Sequence, residues 1–335
     1  MVGAYVKNSS HVLCAYGSNR SLQLGSPSAN PDFDHKTWPI EEPVVTLKSG
    51  RAHTLGLTSS GRLFVWGSNN FGQLGSLRDV QTREFTFLEF PDIVGIAAGL
   101  DNSFLLTQDG TVLACGWSAD GQTGSGGTTI LDRFTEVRVP HPVARISCSA
   151  DSTLVMCENG KVYGWGNNEY NQISPSPEMQ IVSPTEVPLP GAVRDIAAGG
   201  SFSLFLLESG EIVSCGYGPG TGREQDLVIA SPAKIPNSPA LTSVSASLDH
   251  AAGLTEDGRM YIWGCGQHDK LLSDSGEHVV TPQLVEGLKE RVMWVACGSV
   301  RTVVVTETAI KSVSRLGMIE PAEGEEEEED PGWSR

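Results

Sequence analysis

Several features that would assign a function directly are missing from this sequence. No stretch approaches the roughly 18 to 20 consecutive apolar residues of a membrane-spanning helix. The N-terminus has no basic region followed by an apolar one, as a secretory signal would. The seven cysteines are odd in number and none are spaced as CxxC. We therefore expect free, buried thiols in a reducing compartment and no membrane span.

Basic charge is scarce. The chain has 23 Lys and Arg against 40 Asp and Glu, which gives a formal net charge of -17. Many of the acids cluster between Glu320 and Asp330, but the rest of the chain is acidic as well. Without a basic field, the molecule as a whole cannot attract nucleic acid by counterion release. A nucleic-acid contact would need a local patch or a partner protein.

Enzyme motifs are also missing. The sequence has no GxxxxGK[ST], HExxH or GxSxG. The glycine-rich run GYGPGTG at Gly216–Gly222 lacks the GxGxxG spacing and a following helix. The histidines are scattered, and no Cys/His pair has the spacing of metal ligands. We expect a protein without catalytic residues, cofactor or metal.

Glycine, by contrast, is abundant at 38 residues, and it is periodic. Two registers of glycine recur every 48 to 50 residues. The first register follows an aromatic or small residue and comprises Gly17, Gly67, Gly116, Gly166, Gly216 and Gly264. The second follows a turn-type residue and comprises Gly61, Gly110, Gly160, Gly210 and Gly258. Two registers with one period identify an internal repeat.

Each repeat has the pattern of a β-hairpin. An apolar run such as His53–Thr58 meets a two-residue glycine turn and then a second run, 62–67. A third short run precedes the hairpin, and polar loops with proline separate the units. About four short strands in a period near 50 residues predict an all-β propeller, because one blade alone cannot bury both of its faces.

The blade count depends on the two ends of the chain. Five units are complete between 44 and 272, while 12–25 holds the second half of a unit and 292–307 the first half. Pairing the terminal strands would close a ring of six four-stranded blades. If Ile310–Val313 instead continues the last hairpin by itself, the alternative is seven blades with one of them missing from this chain. The predicted domains are one propeller over 1–310 and a disordered acidic tail over 311–335.

The repeat resembles a known family. The segment SGRAHTLGLTSSGRLFVWGSNNFGQLG, 49–75, is similar to the repeat of the regulator of chromosome condensation (RCC) family, and the match recurs four times up to residue 266. CGWSADGQTG and YGWGNNEYNQ are most similar to the mitochondrial RCC-like branch of the Williams-Beuren chromosome region. The resemblance implies an RCC-type β-propeller and a mitochondrial location, with cytoplasm or nucleus as alternatives.

The N-terminus departs from that branch, which has a further blade and a transit segment. Residues 1–40 contain no Arg-rich amphipathic stretch. Either the sequence lacks its true N-terminus or the protein is not imported through a presequence.

A second set of repeat positions predicts packing. Trp66, Trp165 and Trp263 occupy a slot that Cys115 and Cys215 fill in the sister repeats. We expect this slot to lie in the core. The glycine that follows it, from Gly17 to Gly264, is expected to adopt a positive φ or to approach a neighbouring strand closely.

The loop before each hairpin carries the candidate partner-binding residues. They are Arg51, His53, Asp101, Asn102, Asp151, Asp249, His250 and Arg301. In the family's founder, guanine-nucleotide exchange on a small nuclear GTPase depends on an Asp-His step at such a loop, which Asp249-His250 resembles and Asp101-Asn102 half matches. The alternative is that these side chains form hydrogen bonds between blades.

Two functions follow as expectations. The first is a non-enzymatic, monomeric scaffold, whose partners the mitochondrial resemblance implies to be ribosome-assembly or RNA-modifying factors acting on large-subunit ribosomal RNA. The second is guanine-nucleotide exchange on a small or dynamin-like GTPase. Chromatin binding ranks last, because it normally needs a basic arm.

Overall fold

The part of the chain that the structure describes forms seven antiparallel sheets that follow one another along the sequence. The computed structural model describes residues 2–7, 12–17, 34–39, 41–75, 81–223, 228–267, 270–271, 277–288, 290–298, 302–307 and 310–313. The second to sixth sheets have four strands each, and the first and seventh have three. Within the described residues there is no α-helix, and a 3-10 helical turn lies at Pro219–Thr221.

The strand bounds repeat with the period of the sequence. The first sheet contains β1 (Val2–Lys7), β2 (Val12–Gly17) and β3 (Asp34–Pro39). The second and third contain β4 (Val44–Ser49), β5 (His53–Thr58), β6 (Leu63–Ser68) and β7 (Gln81–Leu88), then β8 (Ile93–Ala98), β9 (Asn102–Thr107), β10 (Val112–Gly116) and β11 (Leu131–Val137).

The remaining sheets continue the same order. The fourth and fifth contain β12 (Val143–Ser149), β13 (Ser152–Cys157), β14 (Val162–Asn167) and β15 (Gln180–Glu186), then β16 (Val193–Ala198), β17 (Phe202–Leu207), β18 (Ile212–Gly216) and β19 (Ile229–Lys234). The sixth and seventh contain β20 (Ser243–Ala246), β21 (His250–Leu254), β22 (Met260–Gly264) and β23 (Val279–Leu284), then β24 (Val292–Cys297), β25 (Thr302–Thr306) and β26 (Ile310–Val313).

In the second to sixth sheets the central hairpin is closed by a three-residue loop rather than the expected two-residue turn. Between β5 and β6, the Gly61 amide donates to the Thr58 carbonyl at 3.0 Å, and the Thr58 amide donates to the Arg62 carbonyl at 3.0 Å. Gly61 takes φ +83°, the left-handed conformation that this loop type requires. The equivalent glycines of the next four sheets have the same role, with φ between 78° and 83°. They are Gly110, Gly160, Gly210 and Gly258.

The first strands of successive sheets are in contact along the chain, β1 with β4, β4 with β8, and onward to β24. Such a series is expected of the innermost strands of a propeller, which pack around a common axis. Side chains on these strands accept backbone N–H bonds from the next sheet. The three bonds are Ala198 to Ser147 Oγ at 3.0 Å, Val244 to Asp195 Oδ2 at 3.1 Å and Cys297 to Ser245 Oγ at 3.0 Å.

The core lies between neighbouring sheets, because the alternating side chains of each strand face the sheet on either side. One cluster joins the second and third sheets around Leu55 and Ile96. A larger cluster joins the third, fourth and fifth sheets around Trp165, and others continue to the seventh. Burying one blade therefore requires the blades on both sides of it.

The all-β, RCC-type propeller expected from the sequence is confirmed, and the count is seven sheets. β26 pairs with β25, so Ile310–Val313 continues the last hairpin, as the seven-blade alternative expected. In the described strands, β1 pairs with β2 and no ladder joins the first sheet to the seventh. Closure of the ring by pairing of terminal strands stays a prediction. β26 also extends into the segment predicted as tail, and 314–335 lies outside the described residues.

Candidate functional site: the loop face

The loop face is the end of the sheets where the chain enters the second strand and leaves the third. It is defined by two sets of loops. They are 50–52, 99–101, 150–151, 199–201 and 247–249 before the second strands, and 69–75, 117–124, 168–173, 217–222, 265–267 and 270–271 after the third. Adjacent loops are hydrogen-bonded, since the Arg51 amide donates to Leu100 O and the Leu100 amide to Ala150 O. The face is a continuous surface across the sheets.

The repeated glycines fix the loops to each other within every sheet. A Cβ on Gly166 would lie 2.2 Å from the Asp151 carbonyl oxygen. The same oxygen accepts a hydrogen bond from the Asn167 amide at 2.8 Å. Gly67, Gly116, Gly166, Gly216 and Gly264 all take φ between 101° and 120° at this crossing. For Gly17, the structure gives its strand and its pairing with Val2.

The slot before each of these glycines is fully buried and connects two sheets. The Trp66, Cys115, Trp165, Cys215 and Trp263 side chains are all 0% exposed. Trp165 Nε1 donates to the Gln122 carbonyl of the preceding sheet at 2.9 Å, and Trp263 Nε1 donates to the Gly220 carbonyl at 2.9 Å. Cys215 Sγ lies 3.3 Å from the Gln172 carbonyl. The Trp indole and the Cys thiol therefore contact backbone carbonyls of the same loop, which follows the third strand of the preceding sheet.

His53 joins the second sheet to the third. Its Nε2 lies 2.9 Å from Ser103 Oγ, and the Ser103 hydroxyl donates to the Gln73 carbonyl at 2.7 Å. Since that hydroxyl proton is committed to Gln73, Ser103 must accept from an Nε2–H of His53. The imidazole is buried, and burial lowers its pKa to about 4. His53 is therefore neutral at pH 7.

His250 repeats this arrangement between the sixth and seventh sheets with a different charge. Its Nε2 lies 3.0 Å from Thr302 Oγ1, which donates to the Lys270 carbonyl at 2.7 Å. Its Nδ1 is 3.6 Å from Asp249 Oδ1. Burial opposes protonation of His250, but the Cys297 sulfur and the Asp249 carboxylate outweigh it and raise the pKa to about 9. At pH 7 this imidazole is protonated.

Asp249 also holds a lysine that is almost completely buried. Lys270 Nζ donates to Asp249 Oδ1 and Oδ2 at 2.5 and 2.6 Å, and the lysine side chain is 1% exposed. Burial opposes ionisation of Asp249, but the His250 and Lys270 contacts together outweigh it and lower the pKa of the carboxyl. A buried ammonium needs such a partner. Asp249 itself is 40% exposed and reaches the loop face.

Asp101 and Asp151 on this face are also paired. Arg51 forms a bidentate contact with Asp101 of the next sheet, in which Arg51 is exposed and Asp101 buried. Gln122 Nε2 donates to Asp151 Oδ1 at 3.0 Å, again across a sheet boundary. These contacts make the acidic loop tips part of the bonding between sheets.

Aromatic rings form two further contacts between sheets on this face. Phe71 and Trp117 have ring centroids 4.8 Å apart, and Tyr170 and Tyr217 stack at 5.3 Å with an interplanar angle of 22°. Tyr217 is 39% exposed. Exposed Glu169 precedes Tyr170 in its loop. The side chains that a partner can reach are thus charged and aromatic.

The structure corrects the predicted list of partner-binding residues. His53, Asn102 and His250 do not face solvent, because their side chains are buried between sheets. Arg51, Asp151 and Asp249 remain accessible to different degrees, and Asp101 is covered by Arg51. Arg301 lies outside the described residues. The structure therefore favours the alternative that the histidines form hydrogen bonds between blades.

Sequence reasoning missed the residues that receive these bonds. Ser103 is the second residue of β9 and Thr302 the first of β25, and a hydroxyl at the start of a strand has no distinctive sequence pattern. Gln122 and Lys270 belong to the loop after the third strand. The signal available was the recurring GQ or NQ at Gln73, Gln122 and Gln172, which Lys270 interrupts.

Other site types are not seen in the described part of the chain. No group of three or more His, Cys, Asp or Glu side chains there is arranged to hold a metal ion. No helix among those residues is long and apolar enough to cross a membrane. The six cysteines whose side chains the structure describes are unpaired: Cys115, Cys148, Cys157, Cys215, Cys265 and Cys297.

Comparison with known proteins gives the same family along the chain. Residues 2–304 match the RCC1-like domain. The human RCC1-like G exchanging factor-like protein is 31% identical over 252 residues, which cover 68% of this chain and 54% of that protein. The mouse secretion-regulating guanine nucleotide exchange factor is 30% identical over 269 residues, covering 73% and 58%. The chain thus spans little more than half the length of these curated relatives.

Solved structures agree with the fold. Human WBSCR16 superposes with a TM-score of 0.82 at 28% identity, over 88% of this chain and 82% of that one. Yeast RCC1 (Prp20), solved bound to Kap60, gives a TM-score of 0.79 at 22% identity, over 93% and 81%. The repeat, the seven sheets and these likenesses together establish that the chain belongs to the RCC1-like family of propeller proteins.

Proposed function

We propose that this protein is a non-enzymatic propeller scaffold that binds partner proteins through its loop face. The observation that carries the proposal is the use of both loop-face histidines in bonds between sheets, at 2.9 and 3.0 Å. What remains accessible is a set of recognition groups, such as Tyr217, Glu169 and Arg51, on a rigid frame. Loops held on a rigid scaffold are common binding surfaces.

The partners proposed are factors that handle large-subunit ribosomal RNA in mitochondria. The proposal is supported by the likeness to human WBSCR16 and by the repeat motifs at 115–124 and 163–172. The acidic charge of the chain favours contact with RNA through such proteins rather than directly. We propose that the propeller acts as a monomer in these assemblies.

Guanine-nucleotide exchange is the second candidate. Two relatives are named as G exchanging or guanine nucleotide exchange proteins. An exchange factor works by binding the nucleotide-free GTPase more tightly than the loaded one, which needs a complementary surface rather than a reacting group. The ionised, partly exposed Asp249 carboxylate on the loop face favours this candidate.

Affinity purification with mass spectrometry and cell fractionation tests both candidates. The bait is the tagged full-length protein, compared with Glu169→Lys and Tyr217→Ala on the loop face and with Glu158→Lys at the opposite end of the fourth sheet. All three residues are exposed. For the scaffold, we expect mitochondrial ribosome-assembly and RNA-modifying proteins with the wild type and Glu158→Lys, and their loss with the loop-face variants.

The same experiment has a separate outcome for exchange. A GTPase whose capture is strengthened by EDTA and released by GTP would support exchange, and purified protein should then accelerate release of labelled GDP from it. Equal recovery of every partner by all three variants would contradict binding through the loop face.

A further inference from the structure

The opposite end of the sheets, which we call the turn face, carries a cavity between the second and third sheets. The turn face comprises the hairpin loops 59–61, 108–110, 158–160, 208–210 and 256–258 and the linkers between sheets. The cavity has a volume of about 590 Å³. Its walls come from the hairpin loop after β5, the linker from β7 to β8 and the starts of β4 and β8.

The linker that borders this cavity is short. The linker between β7 and β8 has four residues, 89–92, whereas those at the four following junctions have five to eight. At three of these junctions the strand or linker closes on the glycine of the preceding hairpin. The bonds are Val143 to Gly110 O at 2.9 Å, Leu241 to Gly210 O at 3.3 Å and Val292 to Gly258 O at 3.0 Å.

The equivalent position in the second sheet is unfilled. A Cβ on Gly110 would meet Pro142 at 2.7 Å, but a Cβ on Gly61 would meet only the Ile93 carbonyl oxygen, at 3.6 Å. Among the described residues no hydrogen bond joins Gly61 to Ile93. The turn and the linker therefore stand apart at this junction, and the space between them is the cavity. Gly160 is similarly uncovered, because its Cβ would meet only the Ala192 side chain, at 3.8 Å.

Apolar side chains line the opening. Val45, Phe87 and Val94 are 57%, 43% and 55% exposed. Val45 and Val94 are the extra residues of β-bulges, because the pairing shifts register between Val44 and Thr46 and between Ile93 and Gly95. The bulge turns these two side chains away from the ladder and toward the cavity, which they line.

The rim of the cavity is acidic. Glu89 and Asp92 are exposed, and no basic side chain of the described residues forms an ion pair with either. Asp109 lies in the neighbouring hairpin loop, where hydrogen bonds from Thr107 and Thr111 lower the pKa of its carboxyl. The basic side chain at the opening, Arg62, is already engaged, with its guanidinium 4.0 Å from the Phe87 ring centroid and an ion pair to Glu42.

The geometry points to a binding site for a basic amphipathic segment of a partner protein, with one apolar side chain in the cavity and flanking Lys or Arg at Glu89 and Asp92. Charge complementarity excludes two other occupants. The chain's own acidic residues at 320–330 and a second copy of this chain, with net charge -17, would both be repelled by the rim. The site lies on the face opposite the loop face, so it does not rest on the proposed function.

A peptide-display selection tests the site with a defined probe. A library of random 12-residue peptides is selected on the full-length wild-type protein and depleted on Val94→Glu. We expect enriched peptides with an apolar residue between lysines or arginines. Fluorescence anisotropy of a labelled enriched peptide should show affinity about tenfold weaker with Val94→Glu and with Glu89→Lys.

Two controls carry matched changes elsewhere. Met179→Glu places the same charge at an apolar position that is 67% exposed, and Glu169→Lys reverses an exposed acid on the loop face. Both should bind the peptide as the wild type does, and all four variants should melt as the wild type does. No enrichment, enrichment of acidic or uncharged peptides, or equal binding by Val94→Glu and wild type would overturn the site.

Discussion

At the scale of single residues, the same side chain has opposite charge states in two repeats. His53 and His250 both donate from Nε2 to a hydroxyl of the next sheet. The two histidines differ in the acid available to Nδ1. His250 Nδ1 lies 3.6 Å from the Asp249 carboxylate. Near the loop that precedes His53, the acid is Asp101 of the third sheet, and its carboxylate forms an ion pair with Arg51 instead. A repeat position therefore conserves a hydrogen bond without conserving a charge.

The two histidines predict stability changes on both sides of neutrality. The pKa of His53 is lowered to about 4, so unfolding protonates it, and its contribution falls as pH drops from about 6.5 to about 4. The pKa of His250 is raised to about 9, so its contribution is present below about 6.5 and is lost as pH rises to about 9.

Urea unfolding at several pH values measures this pattern. His53→Gln keeps a donor toward Ser103 without a titrating group, so its unfolding free energy should vary less than that of the wild type between about pH 6.5 and 4. His250→Gln should do the same on the alkaline side. An unchanged pH profile in either variant would show that the corresponding imidazole titrates normally.

A second residue-scale prediction concerns Trp165. Replacing it with alanine empties a fully buried site and removes the Nε1 bond to Gln122, so we expect a loss of about 3 to 5 kcal/mol in unfolding free energy. Trp165→Phe should lose less, because it keeps a large ring. Tyr217→Ala, at a partly exposed ring, is the control and should change stability little. Wild-type melting of Trp165→Ala would show that the slot is not a packing site.

At the scale of the element, the central hairpin of each of the second to sixth sheets is clamped at the loop face and closed at the turn face. The clamp is a glycine that passes directly over the carbonyl before the second strand, as Gly166 passes over Asp151. The amide of the residue after the glycine donates a hydrogen bond to that carbonyl, so the two loops are held together at the end of the sheet. The turn face varies more, because the linkers between sheets differ in length and cover the hairpin loop at only some junctions.

The clamp predicts a strong effect from one methyl group. Gly166→Ala would place a Cβ 2.2 Å from Asp151 O at φ +101°, so we expect a loss of about 1 to 3 kcal/mol or more. Gly127→Ala is the matched control, since nothing lies within 4 Å of its Cβ, and should be nearly neutral. Thermal unfolding of both variants measures the difference. Equal melting temperatures would contradict the clamp.

At the scale of the whole molecule, stability is shared between neighbouring sheets. Apolar clusters and side-chain bonds join each sheet to the next, from Leu55 and Ile96 near one end to Val304 at the other. Contact between β1 and β4 extends the series to the first sheet. A sheet removed from such a series exposes the face and the edges of its neighbour.

Deleting residues 1–25 removes β1 and β2 and should therefore unfold or aggregate the protein. Deleting 314–335, predicted to be a disordered tail, should leave the melting temperature unchanged. Size-exclusion chromatography and thermal unfolding of both truncations make the comparison. A monomeric, equally stable 26–335 fragment would contradict end-to-end closure of the ring.

The sequence by itself determined the repeat, the β-hairpins and the propeller, because glycine at a positive φ, buried apolar runs and period are local properties that each unit shows again. It also located the Trp and Cys slot. Only the tertiary structure decided the seventh sheet, the burial of His53 and His250, and the pairing of Asp249 with Lys270. These depend on contacts between residues of different sheets or of loops distant in the sequence. Such contacts have no signature within one repeat.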